Sequence, residues 1–331
     1  MPGRMVTYIV RRVLLMIPTI FLISILTFFV IELPPGDFAS RYAEALQAQG
    51  LDFDDEVLEG FRELYHLNDP TIIRYFKWIG GFLTGDLGYS IEHRRPVAEV
   101  LGERMVLTVV LSLVSLLFTW VVSFPIGVYS AVRQYSFGDY FWTVIGFLGL
   151  AIPNFLLALV LMFVISKYFG GAIGGLFSRE YQDAAWSIGK VLDLFRNIWI
   201  PVIVVGTAST AGLIRVLRAN LLDELKRPYV ELARAKGLTE RKLIIKYPLR
   251  IAINPFLSSV GWVLPGLISG AVITAIVLDL PTAGPLYLRS IRAEDMSLAG
   301  TFMMFLAMLT VVGTLISDIL LAIADPRIRY D

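Results

Sequence analysis

Long runs of apolar residues, separated by polar connections, dominate the pattern along this chain. A helix needs about 20 apolar residues to cross the hydrocarbon core of a bilayer, and six runs approach or exceed that length. They are Val13–Ile31, Val106–Ala131, Tyr140–Ile165, Ile198–Val216, Asn254–Leu278 and Ala299–Ala324. The pattern therefore predicts an all-α integral membrane protein of six transmembrane helices. It forms one domain over residues 13–331, preceded by a short N-terminal segment, residues 1–12.

The six runs lack the polar face that a buried helix of a soluble protein shows. Several contain proline, at Pro18, Pro125, Pro153, Pro201 and Pro265. We expect prolines to be tolerated in these spans because neighbouring helices satisfy the freed backbone groups. The first run is longer than the apolar core of a signal peptide, and no small-x-small cleavage site follows it. We therefore expect the first run to remain as a membrane anchor.

Lysine and arginine are distributed unequally over the connections between the runs. The N-terminus, the second and fourth connections and the C-terminal tail together carry sixteen, whereas the third and fifth connections carry six. The first connection, residues 33–104, is so long that its charges count little in the positive-inside rule. The distribution predicts that both termini and the segment 215–250 are cytoplasmic.

The first connection differs in composition from the spans, and we expect it to form an outer cap. It contains six acidic residues close together, Asp52, Asp54, Asp55, Glu56, Glu59 and Glu63. One-sided apolar spacing predicts a helix from Asp54 to Tyr65, and Asp69-Pro70 predicts a second helix over Thr71–Leu83 with Asp69 as its N-cap. The aromatic residues of the second helix suit the membrane interface. Two interpretations stay open: a small helical cap over the bundle, or a docking surface for an external partner.

Composition excludes several classes of function. Hydrophobic residues make up 56% of the 331 residues and charged residues only 17%, against about 25% charged in soluble domains. A net charge of +1 offers no polyelectrolyte attraction to nucleic acid. The chain has no cysteine, and its two histidines, His66 and His93, are too few for a histidine-based metal site. The only Gly-Lys pair, Gly189-Lys190, is followed by Val191, so there is no P-loop to hold a nucleotide.

The fourth connection has the pattern of a short helix–turn–helix. Tyr229–Lys236 is a helical stretch that Gly237 is placed to end in a left-handed C-cap. Thr239 then has the chemistry of an N-cap for a second helix, Glu240–Tyr247. Such a short element does not form its own core, so its apolar residues need either the rest of this chain or another protein.

The same connection resembles a known family. Glu231-Leu232-Ala233, three further residues and Gly237 resemble the Glu-Ala-Ala-x3-Gly pattern of the inner-membrane permeases of binding-protein-dependent ABC importers. Leu232 stands where that pattern has alanine. The string from Ala233 to Arg241 looks like the dipeptide, oligopeptide and nickel branch, as do Gly85–Ser90 in the first connection and Asp325–Arg329 at the C-terminus. The resemblance extends over essentially the whole chain.

This resemblance implies a type I ABC importer fold in the inner membrane of a bacterium or archaeon. The chain would be a transport subunit without a cofactor of its own. ATP and Mg would be bound by two cytoplasmic ATPase subunits, beside a second homologous permease, an external solute-binding protein and membrane lipid. The segment 217–250 would be the coupling loop, whose helix inserts into a cleft of the ATPase. The implied coupling residues are Tyr229, Glu231, Ala233, Arg234, Ala235, Lys236, Gly237 and Leu238.

The resemblance also implies a translocation path between two permease subunits, lined partly by the fifth span. That span is rich in small and polar residues, which equally serve close packing of helices. A weakly polar, uncharged lining would suit a pathway that passes its substrate without binding it tightly. The candidate path residues are Ser258, Ser259, Trp262, Ser269 and Thr274.

Asp318 is the clearest ionisable residue inside a span, and such a residue is a functional candidate because its charge is costly in lipid. We expect a structural ion pair with an arginine of the coupling loop rather than a proton relay. Peptides are the first expected substrate, with oligosaccharides or nickel complexes as alternatives. The competing classes are a stand-alone secondary transporter or channel, and an intramembrane enzyme that would use Asp318.

Overall fold

The computed structural model of the chain describes residues 2–33, 39, 40, 43, 47, 55–64, 68–169 and 174–324, which are predominantly helical. In chain order the helices are α1 Pro2–Glu32, α2 Asp55–Leu64, α3 Thr71–Thr84, α4 Val97–Val132, α5 Phe137–Ala151, α6 Asn154–Phe169, α7 Ile188–Asn197, α8 Trp199–Leu225, α9 Pro228–Ala235, α10 Glu240–Lys246, α11 Pro248–Ala252, α12 Asn254–Ser258, α13 Val260–Gly270, α14 Val272–Val277, α15 Ala283–Arg292 and α16 Met296–Ala324. A two-stranded antiparallel hairpin precedes α4, with β1 Tyr89–Ser90 paired to β2 Arg95–Pro96.

Four helices within these ranges are long and apolar enough to cross a membrane: α1, α4, α8 and α16. They coincide with the first, second, fourth and sixth predicted spans. Pro18 and Pro125 lie inside α1 and α4, as expected for prolines in spanning helices. The remaining two predicted spans are interrupted.

The third predicted span is divided into α5 and α6, which meet at an angle of 104°. Helix α5 ends at Ala151, and Ile152 takes the extended conformation that is favoured before a proline. Pro153 then lacks the N–H that would continue the helix. Counting the bent pair as one span raises the number of spans within the described residues to five.

The fifth predicted span, Asn254–Leu278, is a run of three short helices, α12 to α14. Single residues in the right-handed helical region, Ser259 and Ala271, join them. The Ser259 N–H donates to the Phe256 carbonyl, three residues back, as in a tighter 3₁₀ turn. Glycine and proline make this segment a poor regular helix, and the total of six spans stays a prediction.

Packing divides the chain into two compact units. Unit 1 takes its described residues from Met1–Leu14, Thr108–Pro281 and Leu309–Asp331, and unit 2 from Leu15–Leu107 and Thr282–Met308.

Helix α8 carries much of the core of unit 1. Its residues Val204, Leu213, Leu217 and Leu221 are completely buried. Small residues let neighbouring helices approach closely, as is common between membrane helices. A Cβ atom built on Gly206 would lie 2.9 Å from the ring of Phe118, so this position excludes any larger residue unless the ring moves.

A buried ion pair fixes the C-terminal half of α8 to the start of α5. The Arg218 guanidinium donates two hydrogen bonds to the Asp139 carboxylate, of 2.8 and 2.7 Å. The side chain of Asp139 is only 2% exposed and also accepts from the backbone N–H of Tyr135. This bidentate geometry is the strong form of an arginine–carboxylate contact.

In unit 2, α3 packs on α1 through an aromatic contact and a buried hydrogen bond. The Tyr75 hydroxyl lies 2.7 Å from the Ser24 hydroxyl, and its ring makes an edge contact with Phe28. The opposite face of α3 exposes Ile72 and Phe76, in keeping with the predicted interfacial helix. Both predicted helices of the outer cap are confirmed within the described residues, as α2 and α3.

One prediction for the outer cap is wrong. Asp69 does not cap α3, because Pro70 occupies the N-cap position and no side-chain cap bond forms there. The backbone of Pro70 is extended, with ψ 143°, so the N-cap lies one residue later than predicted, and Asp69 instead accepts a hydrogen bond of 2.7 Å from Lys77. His66 lies outside the described residues. Some residues of the acidic cluster and the C-terminal segment Asp325–Arg329 also lie outside them.

We predict that Arg218→Met destabilises the protein by about 3 kcal/mol, because it leaves the Asp139 carboxylate buried without its partner. Thermal unfolding in detergent measures the effect. Arg215→Met is the matched control, since Arg215 lies on the same helix with an exposed side chain. The combined Arg218→Met and Asp139→Leu variant should recover part of the loss. Equal melting temperatures for Arg218→Met and Arg215→Met would contradict the importance of the ion pair.

Candidate functional site

The segment after α8 forms the predicted helix–turn–helix. Pro228 takes the first position of α9, where its missing N–H has no helical partner to lose. Helix α9 ends in two capping bonds: Gly237 N–H donates to the Arg234 carbonyl, and Leu238 N–H donates to the Ala233 carbonyl. This is the Schellman arrangement, in which the first of the two donor residues takes the left-handed conformation. Gly237 supplies it with φ +81°, so the predicted C-cap is confirmed.

The second predicted cap forms only in part. Thr239 takes the N-cap position of α10 with an extended backbone, but its side chain makes no capping bond. Glu240 in the first turn of α10 accepts from Arg234 of α9 instead, at 2.5 and 3.2 Å. The Arg234 guanidinium lowers the pKa of Glu240, and Glu240 raises that of Arg234. Both side chains are therefore charged at neutral pH. The ion pair is lost when the pH falls through the lowered pKa of Glu240. Because the pair is exposed, it adds little to the stability of the protein.

The helix–turn–helix has a small apolar core against the rest of this chain. Val230 and Ala233 of α9 and Leu243 and Ile244 of α10 are buried together. Their partly buried neighbours are Leu225 at the end of α8, Tyr229 of α9, Leu238 in the turn, Tyr247 after α10 and Leu249 of α11. These residues were expected to need a packing partner, and the rest of this chain supplies it. The helix–turn–helix therefore has a defined shape before any other protein binds.

Tyr229 ties α9 to the last turn of α8. Its hydroxyl donates a hydrogen bond to the Glu224 carboxylate. Burial of the ring, and secondly the nearby Glu224, raise the pKa of Tyr229 above its ordinary value. The hydroxyl therefore stays protonated at any physiological pH and remains a donor to Glu224.

The eight predicted coupling residues divide into two groups. Ala233 is buried, and Tyr229 and Leu238 are half-buried, so these three hold the element in place. The other five are exposed and form, together with Leu232, a surface that we call the α9 tip. Its members are Glu231, Leu232, Arg234, Ala235, Lys236 and Gly237. The apolar side chain of Leu232 is 58% exposed and lies among the charged residues of this surface.

The candidate path residues of the fifth predicted span also fall into two groups. Trp262 and Ser269 are exposed and Ser258 is half-buried, on one side of α12 and α13. Ser259 is 0% exposed and Thr274 only 1%, because both pack inside unit 1. Ser258, Trp262 and Ser269 therefore reach the surface of unit 1, and the other two do not.

The expected partner of Asp318 is corrected by the structure. Asp318 pairs with Arg12 of α1, with 3.3 Å between Nη1 and Oδ2, and not with an arginine of the coupling loop. The loop arginine nearest the end of α16 is Arg250, whose Nε donates to the backbone carbonyl of Ala324. Because α16 ends with free carbonyl groups, a guanidinium there satisfies one directly.

Sequence reasoning did not single out the Asp139–Arg218 pair or the Glu224–Tyr229 bond. In the sequence, Arg218 counts only as one of the many positive charges of the segment 215–250. The residues of the first pair lie 79 positions apart, and no local pattern joins them. Within the part of the chain that the structure describes, no three acidic or histidine side chains are grouped as a metal site.

We predict that Tyr229→Phe speeds amide hydrogen exchange in α9 by about fivefold, because it removes one hydrogen bond worth about 1 kcal/mol. Mass spectrometry of peptides from residues 228–247 measures this exchange. Tyr247→Phe is the control in the same apolar cluster. Equal exchange in both variants would show that the bond to Glu224 does not hold α9.

Known protein families and relatives match nearly the whole length of this chain. The sequence model of the family "binding-protein-dependent transport system inner membrane component" matches residues 123–330, and the model of its N-terminal part matches residues 5–113. The oligopeptide transport system permease protein AppB of Bacillus subtilis is 38% identical over 98% of this chain and 100% of its own length. OppB, the oligopeptide permease of Haemophilus influenzae, is 29% identical, with the same coverage of both chains.

The glutathione transport system permease protein GsiC of Escherichia coli K12 is 28% identical over 98% of this chain and its own full length. These matches agree with the long apolar helices and with the helix–turn–helix that follows α8. The chain therefore belongs to the family of inner-membrane components of binding-protein-dependent transport systems and is a multi-pass permease subunit of an ABC importer.

Proposed function

We propose that this subunit forms half of a peptide pathway and couples it, through the α9 tip, to a separate ATPase. The observation that carries the proposal is the exposed tip on a helix–turn–helix that already has its own core. Such an element holds one shape while it presents Leu232 and the neighbouring charges to a partner. Glu231 lies in the first turn of α9, where it complements the helix dipole and can pair with a basic group.

A movement of the tip has a physical route into the membrane helices of unit 1. The apolar core and the Tyr229–Glu224 bond attach α9 to the end of α8. Arg218, further back on α8, attaches that helix to α5 through Asp139. Because packed helices shift as bodies rather than deform continuously, we infer that a displacement of α9 reaches α5 and α8 together.

In this proposal the chain crosses the inner membrane six times, with both termini and α9 on the cytoplasmic side. The excess of lysine and arginine in the termini and in residues 215–250 supports that orientation. The bent pair α5–α6 serves as the third span. The run α12–α14 serves as the fifth.

The energy for transport then comes from partner subunits, because the sequence has no P-loop. We infer two cytoplasmic ATPases, a second homologous permease that completes the path, and an external solute-binding protein. Closure of the ATPases on ATP would move the two coupling helices towards each other. The bundle would then change between inward- and outward-facing states.

Peptides are the substrate class that we propose. The names of two relatives specify oligopeptides, and that of a third specifies glutathione, itself a small peptide. The exposed side of α12–α13, with Ser258, Trp262 and Ser269, carries no charge. An uncharged surface of this kind passes peptides of different sequence without holding any of them tightly.

We predict that Gly237→Pro abolishes ATP-driven uptake of a labelled tripeptide while the chain still inserts in the membrane. Proline fixes φ near −65°, whereas Gly237 has φ +81° and donates its N–H to Arg234. The Schellman cap is therefore lost and the α9 tip changes shape. Uptake into cells or proteoliposomes and co-purification of the ATPase measure the effect.

Gly85→Pro is the matched control for co-purification. Gly85 has φ +86°, and like Gly237 it has open space where a Cβ would lie, but it is far from α9 in the chain. We expect the ATPase to remain bound to the Gly85→Pro protein. Normal uptake by the Gly237→Pro protein, or uptake by the wild type that needs no ATPase, would overturn the proposed coupling.

A further inference from the structure

Helix α7, Ile188–Asn197, exposes four of its five large apolar side chains and buries two of its three charged ones. Ile188 is 81% exposed, Leu192 64% and Phe195 58%. On the opposite side, Lys190 and Asp193 are 2% and 8% exposed. A surface helix of a soluble protein buries its apolar stripe and exposes its charges, so the exposed side of α7 is poorly suited to water.

Specific contacts hold the charged side chains of Lys190 and Asp193 in their inward positions. The Lys190 ammonium lies 4.8 Å from the centre of the Phe177 ring and 5.0 Å from that of Trp186, within the range of a cation–π contact. It also donates to the Ala184 carbonyl at 2.9 Å. Asp193 accepts from the backbone N–H and the hydroxyl of Ser178, at 2.7 and 2.5 Å. These bonds fix the rotation of α7 about its own axis.

The outward side is a continuous apolar stripe. Ile188, Val191, Leu192 and Phe195 follow the i, i+3, i+4, i+7 spacing and cover an arc of about 100°. Trp199, the first residue of α8, continues the stripe four positions further and is 49% exposed. Trp186 precedes it and is also 49% exposed. Tryptophans near both ends of an apolar stripe are typical of the interface between a membrane and water.

Arg196 lies at the border of this stripe. Its side chain is exposed. An arginine at the edge of an apolar helix face keeps its stem on the apolar side and its charge towards lipid phosphates. The membrane-spanning helix α8 begins only one residue after α7 ends, so the stripe lies where the bilayer begins.

We propose that α7 binds the lipid surface of the membrane, with Ile188, Leu192 and Phe195 in the acyl region and Arg196 at the phosphates. The segment 174–198 is then an interfacial anchor at the N-terminal end of α8, and not a water-exposed connection. This assignment depends on the exposed apolar side of α7 and does not require the coupling role of α9.

The chain contains no cysteine, so a single introduced cysteine marks one position on it. Leu192→Cys and Phe195→Cys are labelled with an environment-sensitive fluorophore in the assembled transporter and reconstituted in phosphatidylcholine vesicles. The cysteine-free parent gives the background from the partner subunits. Gln182→Cys is the matched control, because Gln182 is exposed in the same connection but is polar and lies outside the stripe.

Lipids brominated on their acyl chains should quench the labels at positions 192 and 195 about threefold more than the label at 182, as expected for a helix buried in the interface. Aqueous iodide should show the reverse order. Equal quenching by iodide at all three positions would place α7 in water and overturn the proposal. Protection of positions 192 and 195 from both quenchers would show that another protein subunit covers the stripe, which equally overturns it.

Discussion

The packing of α9 and α10 against the end of α8 is the constraint on which the account of this permease depends. Val230, Ala233, Leu243 and Ile244 are buried together there. Without that cluster, residues 228–247 would be a flexible connection, because helices this short are unstable alone. With it, α9 and α10 are held against the end of α8, as the proposed coupling requires.

The polar contacts of unit 1 extend this constraint into the membrane helices. Burying either Asp139 or Arg218 alone would cost free energy, and each charge lowers the cost of burying the other. A second ion pair, less buried, joins Asp318 of α16 to Arg12 of α1. Both pairs join helices that are distant in sequence. Ion pairs of this kind select one arrangement of helices whose apolar surfaces alone would pack in several ways.

The elements that depend on local chemistry were predictable from the sequence. Pro228 and Gly237 mark the two ends of α9 because proline is favoured at the first helical position and glycine readily takes the left-handed conformation that ends a helix. The four unbroken spans follow from the length of their apolar runs. Other features depend on the folded chain, such as the choice of Arg12 as the partner of Asp318 and the 104° angle at Pro153. The orientation of α7 was missed because an apolar stripe marks the inside of a protein only when the surroundings are water.

The most direct test of the account is a cross-link from the centre of the α9 tip in native membranes. Leu232→Cys carries a photoreactive label, and the cysteine-free parent chain gives the background. The account predicts that the label captures a protein with a P-loop ATPase sequence, identified by mass spectrometry. It also predicts that a label at Gly85→Cys captures no ATPase. Capture of lipid or of this chain alone by the label at position 232 would contradict the claim that α9 couples the permease to an ATPase.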